Sequence, residues 1–217
     1  IPFFRLISGA KLAINVDGIE SRRRKWGGLA KVLLKQLERV SANRADLVVA
    51  DNRAISVYLN SEYGTVPTTI AYGGDPPRRR MQEAVAADQR GLDRDSSVDY
   101  WVSVARIEPE NNPELILRAF AGTDERIVFV GNWSRSKFGR QLRKSFSKHT
   151  NIQMTEPIYD RSSLDQIRNA AIGYVHGHSS GGTNPSLVEA MYLGLPIVAY
   201  DVIFNRETTD GRARFFR

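Results

Sequence analysis

The sequence predicts an α/β fold made of two doubly wound, parallel-sheet units of Rossmann-like type. Three observations predict it. Short apolar runs alternate with amphipathic stretches from Ala13 to Tyr72. The same alternation resumes at Tyr100 and continues to Tyr200. Between them, residues 75–97 carry Pro76-Pro77, three consecutive arginines and few large apolar side chains. The units are therefore expected at 1–75 and 98–217, joined by a polar linker or excursion over 76–97.

Each element has a local reason. Residues 13–16 (Ala-Ile-Asn-Val) read as a strand closed by Asp17-Gly18. Leu29, Val32, Leu33, Leu37 and Val40 recur at spacings of three and four, the mark of an amphipathic helix. Residues 46–50 read as a strand, Ile55 to Leu59 as a short helix, and 68–72 as a strand stopped by Gly73-Gly74. In the second unit, strands are expected at 100–104, 126–130, 152–154, 171–175 and 195–200. Helices are expected at 113–120, with Pro113 in the first helical position, at 136–147, and at 162–170 behind an Asp160 or Ser162 cap. A further helix follows Pro185 and stops at Gly194.

The 217 residues are 41% hydrophobic and 25% charged, enough for one large or two small cores. The lack of cysteine excludes a disulfide framework and a thiolate zinc site, and fits a reducing compartment. No run approaches the roughly 18 apolar residues of a membrane span, so the expected location is cytoplasmic. The chain opens without Met and as if inside a domain, so its first unit is expected to be incomplete. The net charge of +7 is concentrated at 22–25 and 78–80. Such clusters bind nucleic acid, anionic lipid or phosphorylated substrates, or form a solvated basic face.

The most informative stretch is HGHSSGGTNPSLVEAMYLGLPIVAYD, from His176 to Asp201. It reads as strand end, glycine-rich loop, helix start and next strand. Free N–H groups and the positive dipole end at a helix start favour an anion. Glu189, about one turn into that helix, repels phosphate but accepts hydrogen bonds from sugar hydroxyls. Phosphate donors beside a hydroxyl acceptor point to a sugar nucleotide; taken alone, the loop also reads as an ordinary connection. His176 and His178 have no third ligand at metal spacing, so no metal site is expected. Further polar residues follow other strands: Asp17 and Glu20, Arg106, Asn132, then Asp201 and Asn205. In open parallel sheets, ligands bind at those carboxyl ends.

These residues resemble the donor-binding domain of retaining GT-B glycosyltransferases of family 4. The likeness is carried by VARIEPENN at 104–112, by Gly131-Asn132-Trp133 and by the run from His176 to Asp201. INVDGIESRRRKWG, ARIEPENNPELILRAF and HGHSSGGTNPSLVEAM resemble, more narrowly, bacterial rhamnosyltransferases of surface-polysaccharide synthesis. The resemblance implies two GT-B units and transfer of a sugar, rhamnose from dTDP-rhamnose, with retention. It implies that Arg106 binds the diphosphate and Glu189 the ribose. The donor would also meet Asn132, His178, Gly182, Thr183 and the N–H groups around Asn184, Ser186 and Leu187. Asp17 or Glu20 would orient or deprotonate the acceptor hydroxyl. Two positions depart from the family pattern: its first glutamate falls at Gly181 and its lysine at Asn111. Lys137 or the helix start is the expected replacement for that lysine.

The expected partners are a dTDP- or UDP-linked sugar, a lipid-linked or oligosaccharide acceptor, and an anionic membrane surface met by the basic run at 22–25. No nucleic-acid partner, metal or other cofactor is expected. The alternative is a basic nucleotide- or nucleic-acid-binding α/β module without transferase activity; no RNP signature, zinc finger or helix-turn-helix supports it. A nicotinamide-binding protein is disfavoured by the absence of Gly-x-Gly-x-x-Gly after a strand.

Overall fold

The computed structural model describes residues 9–23, 26–74 and 99–217. The expected linker at 76–97, the basic cluster at 78–80 and the members Arg24 and Lys25 of the first cluster lie outside the described residues. Two compact units result. The first holds the described residues up to Gly73, together with Ser179–Asn184 and Asp201–Arg212. The second holds the rest, including Pro185–Tyr200 and Ala213–Arg217.

The first unit is built on three parallel strands in the order β1 (Ala13–Val16), β2 (Leu47–Ala50) and β3 (Thr68–Thr69). The β1–β2 register runs from Ala13 opposite Leu47 to Val16 opposite Ala50. Helix α1 (Gly28–Arg44) connects the first two strands, and α2 (Arg53–Tyr63) the second and third. Asn52 caps α2 by accepting the Ala54 N–H at 2.9 Å, and Gly64 ends it at a φ of 68°. A short helix α7 (Ile203–Thr208) joins this unit late in the chain. Its Phe204 packs on the cluster of Ile19, Val48, Ala50, Ile55 and Leu59, and Asn52 Nδ2 donates to Thr208 Oγ1 at 3.3 Å.

One expectation is corrected here, and one borne-out helix carries a feature that its spacing did not specify. The strand expected over 68–72 is only two residues long, because Ile70 makes one further bond to Ala50 and the pairing ends there. The apolar stripe of α1 is real but points outward. Leu29 is 91% exposed and Val32, Leu33, Leu37 and Val40 are exposed, whereas Ala42 on the opposite face is buried. Periodicity identifies an amphipathic helix without saying which face meets the core.

The second unit is a parallel sheet of six strands, β4 (Trp101–Val104), β5 (Ile127–Val130), β6 (Ile152–Thr155), β7 (Gly173–His176), β8 (Ile197–Tyr200) and β9 (Arg214–Phe216). Their order is β6-β5-β4-β7-β8-β9. Helices α3 (Pro113–Ala121), α4 (Lys137–Phe146), α5 (Arg161–Asn169) and α6 (Pro185–Tyr192) cover it. All four residues of β5 are buried, and they divide between two cores at a period of two. Ile127 and Phe129 join Ile116, Leu117, Leu142 and Phe146 of α3 and α4. Val128 and Val130 join Ile167, Leu187 and Ala190 of α5 and α6. A sheet with a separate apolar layer on each face is doubly wound. Of the two candidate caps for α5, Asp160 is the one used: its carboxylate accepts the Ser163 N–H at 2.9 Å.

Leu117 is fully buried between α3 and the sheet. Leu117→Ala is expected to cost about 2–5 kcal/mol in urea unfolding, and Leu29→Ala, on the outward stripe, less than about 0.5 kcal/mol. Equal costs would place Leu29 in a core.

Candidate functional site

In the second unit the chain winds outward from β4 in both directions: β5 and β6 are added on one side, then β7, β8 and β9 on the other. The reversal lies between β4 and β7; in open parallel sheets, loops at such a point leave in opposite directions and ligands bind in the crevice at the carboxyl edge. The loop after β4 carries Arg106, and the loop after β7 carries His178. Asn132 follows the neighbouring β5. Arg106, Asn132 and His178 thus stand on the ends of three adjacent strands.

The two loops at the reversal are tied together. Asn112, at a φ of 49°, donates from Nδ2 to the Gly177 carbonyl at 3.0 Å. A Cβ at Gly177 would lie 2.3 Å from the Asn111 carbonyl oxygen, so only glycine permits this approach. Asn111 itself is buried and donates from Nδ2 to the Arg106 carbonyl at 2.8 Å. The residue found at the expected lysine position therefore braces the arginine's own loop. The Arg106 side chain is 59% exposed, with Glu108 Oε1 3.8 Å from its NH1. Lys137, the first residue of α4, is exposed. Asn132 Oδ1 accepts from Ser134 Oγ and the Arg135 N–H, which folds its own turn.

Behind this edge lie buried polar groups. His176 and His178 stack with ring centroids 4.4 Å apart. Neither ring nitrogen of His176 has a hydrogen-bond partner among the described residues, and burial, with His178 beside it, holds its pKa well below the usual histidine range. Burial pushes the Tyr174 hydroxyl up to about 12, so it remains a neutral donor, to the Val104 carbonyl at 3.2 Å.

On α6, Leu187 is buried in the core and offers only its backbone to a ligand. The Ser186 side chain bonds the Tyr174 hydroxyl. Glu189 is one-third exposed, and its Oε2 lies 2.5 Å from NH2 of Arg168, a residue only 2% exposed. Asp165 Oδ1 is the second acid near that guanidinium, at 3.5 Å. Arg168 is a site residue that periodicity missed, because nothing in its position on α5 announces a partner 21 residues on.

In the first unit, Asp17 is exposed at the end of β1, and its carbonyl accepts the Gly182 N–H at 3.0 Å. Thr183 is buried and donates its N–H to Asp51 Oδ2 at 2.9 Å. The Gly182 and Thr183 amides are thus engaged within the protein. Asn184 is half-buried in the same loop. Glu20 is held locally, by Arg23 at 3.0 Å and by Trp26 Nε1 at 3.2 Å. The Arg22 guanidinium lies 4.5 Å from the centre of the Tyr58 ring. The two described members of the first basic cluster are therefore engaged by neighbouring side chains. Asp201 pairs with Arg206 at 2.6 Å, and Asn205 is buried on α7. Among the described residues no helix is long and apolar enough to cross a membrane.

The family model described as glycosyl transferases group 1 matches residues 86–211, and a domain of unknown function (DUF1972) matches residues 3–75. A comparison with curated proteins gives no match. Solved structures share the fold. HepE of Anabaena, in complex with UDP-glucose, is 14% identical with a TM-score of 0.70, over 99% of this chain and 60% of that one. Sucrose-phosphate synthase from Thermosynechococcus elongatus is 16% identical with a TM-score of 0.69, over 92% and 53%. The pneumococcal O-GlcNAc transferase GtfA, in complex with UDP and GlcNAc, is 16% identical with a TM-score of 0.62, over 91% and 38%. The chain thus spans between 38% and 60% of the length of these structures. Its α/β architecture of parallel sheets is of the GT-B kind.

His176 supplies a pH test of the site's packing. Its native pKa lies below that of the unfolded chain, so the unfolded state takes up the proton first. The contribution is complete above the unfolded value, about 6.5, and is lost as pH falls below it, by at most ~1.4 kcal/mol per pH unit. His176→Phe is expected to flatten the acid limb of urea-derived stability. Parallel limbs for both proteins would show that His176 protonates freely in the native state.

Proposed function

The chain belongs to the glycosyl transferases group 1 family, and from that premise we propose that it is part of an enzyme that transfers a sugar from a nucleoside diphosphate to an acceptor hydroxyl. The donor we propose is dTDP-rhamnose, the acceptor a lipid-linked or oligosaccharide precursor, and the outcome retention at the anomeric carbon. The observation that carries this reading is the winding reversal between β4 and β7. It sets Arg106 on one strand end and leads, through the loop after β7, to the start of α6 and Glu189. Structures of the same fold hold UDP or UDP-glucose, which supports a nucleotide-linked donor.

The groups divide the work by charge. As the bond from the anomeric carbon to the diphosphate oxygen breaks, negative charge builds on the leaving group. The Arg106 guanidinium and the first-turn N–H groups of α6 oppose it, with Lys137 as a second cation. Asn132 and His178 line the donor. Glu189, held through Oε2 by Arg168, offers Oε1 to the ribose hydroxyls. The acceptor oxygen attacks the same face as the bond to the diphosphate breaks, and Asp17, exposed at the end of β1, orients its hydroxyl and takes up the proton it loses. Glu20 is the weaker candidate because Arg23 and Trp26 already occupy its carboxylate. Contact with an anionic membrane through the basic run at 22–25 would bring a lipid-linked acceptor to the enzyme. No divalent metal is required in this scheme.

Calorimetry with dTDP and UDP is expected to show binding that Arg106→Ala weakens by about 1.5–3 kcal/mol, the scale of a hydrogen bond to a charged group. Glu189→Gln is expected to weaken nucleotide more than inorganic pyrophosphate, which lacks a ribose. Wild-type affinity in Arg106→Ala removes the arginine from the site; equal losses for both ligands in Glu189→Gln remove the carboxylate from the ribose.

The full-length enzyme is expected to turn over dTDP-rhamnose on a lipid-linked or model glycoside acceptor, and to do so with EDTA present. NMR of the product decides the stereochemistry: an inverted anomeric centre refutes retention. Loss of turnover with EDTA, restored by a divalent ion, refutes the metal-free scheme.

A further inference from the structure

We propose that Asp51 is a positioning residue for the loop that carries Gly182 and Thr183: its buried carboxylate holds that loop in the shape that receives the donor sugar. The proposal rests on the donor reading given above. Asp51 follows β2 directly and is 1% exposed. It grips Thr183 twice. Oδ2 accepts the Thr183 N–H at 2.9 Å, and the Asp51 carbonyl accepts Thr183 Oγ1 at 2.7 Å. The neighbouring residue is fitted to the same carboxylate. A Cβ at Gly182 would lie 2.2 Å from Asp51 Oδ1, so no larger residue can stand there without displacing it. The loop's other attachment is the Gly182 N–H to the Asp17 carbonyl at 3.0 Å. Asp17 and Asp51, on the ends of β1 and β2, together fix residues 182 and 183.

This arrangement is costly to the fold, which separates it from an ordinary structural strut. Oδ1 has no hydrogen-bond partner among the described residues, and a buried charge with an unmet lone pair is unfavourable. Burial, with the Asp17 carboxylate adding repulsion, raises the Asp51 pKa from 3.8 to about 6; the Thr183 N–H opposes the rise. Asp17 is the charged side chain that acts on it among the described residues, and the loop Ser179–Asn184 contains no ionisable side chain. The native carboxyl holds its proton more tightly than the unfolded one. Stability from this group is therefore highest below the unfolded value and falls as pH rises through the native value, the reverse of a salt-bridged aspartate. An asparagine would offer Thr183 the same acceptor without the charge. What the carboxylate adds near neutral pH is a stronger, charge-assisted bond to the Thr183 N–H, and hence a stiffer loop.

The test uses the 217-residue chain, Asp51→Asn and Asp51→Ala. In amide NMR spectra, Thr183 is expected to titrate with a midpoint near pH 6 in the wild type and not in Asp51→Asn. Asp51→Asn is expected to melt higher than the wild type at about pH 7.5, with the gap closing toward about pH 4. In calorimetry, both variants should keep dTDP affinity within about twofold and lose dTDP-rhamnose affinity by about tenfold or more. A Thr183 amide that ignores pH and exchanges no faster in Asp51→Ala overturns the grip itself. Asp51→Asn that melts lower and loses dTDP and dTDP-rhamnose equally makes Asp51 a strut and overturns the positioning role. A wild-type chain that binds neither nucleotide fails the donor reading, and the Thr183 titration then decides separately whether Asp51 holds the loop.

Discussion

A parallel sheet delivers all its carboxyl ends to one edge, and in the second unit the winding reverses beside β4. The positions of Arg106, Asn132 and His178 follow from that constraint. Three adjacent strands end together, so short loops suffice to gather residues far apart in sequence. The same reversal explains the tight loop contacts. Two loops leaving one crevice in opposite directions must pass close at their roots, and the Asn112 bond to Gly177 is where they do. The proposed catalytic groups inherit their geometry from the sheet rather than from any single motif.

The periodic content of the sequence carried the architecture. The four residues of β5 are a continuous apolar run because both faces of the sheet are covered, and the helix after Pro185 announced itself by its spacing and its glycine stop. What remained hidden has a common cause. Asp51 meets Thr183 across 132 residues of sequence, and no periodicity reports a contact of that range. Arg168 reads as one more charge on a polar helix until Glu189 is placed opposite it. The outward direction of the α1 stripe was hidden for a related reason: spacing records that a face is apolar, while burial depends on what the fold sets against it. Short terminal elements such as α7 and β9 offer too few residues for any period to show.

Arg168, His176 and Asp51 are buried ionisable side chains near the candidate site, and each is handled differently. Arg168 is neutralised in place by Glu189 and Asp165. His176 is kept uncharged by burial. Asp51 keeps an unpartnered oxygen and a raised pKa. The first two are ordinary settlements of a desolvation cost. In the second unit, the buried guanidinium also fixes one oxygen of Glu189, so the free oxygen of that carboxylate is presented in a single orientation. In the ribose-binding role proposed for Glu189, that orientation counts for more than added charge.

The same economy bears on the diphosphate-binding role proposed for Arg106. In the family that the sequence resembles, a lysine stands five residues after the arginine, where this chain has Asn111. The neutral side chain does not substitute for the missing cation; it turns inward and holds the Arg106 carbonyl, which the Glu108 N–H also holds at 2.9 Å. The loop is therefore braced twice at the residue that carries the charge. The guanidinium itself is left exposed, with only a loose pairing to Glu108, and an exposed pair of that kind is worth little. Its release to an incoming anion is cheap, while the backbone that aims it is already paid out in fixed hydrogen bonds. Electrostatic stabilisation depends on how little reorganisation the donors need when charge develops. One cation on a braced loop, as proposed for Arg106, meets that requirement with fewer charges than a pair of cations on a looser one.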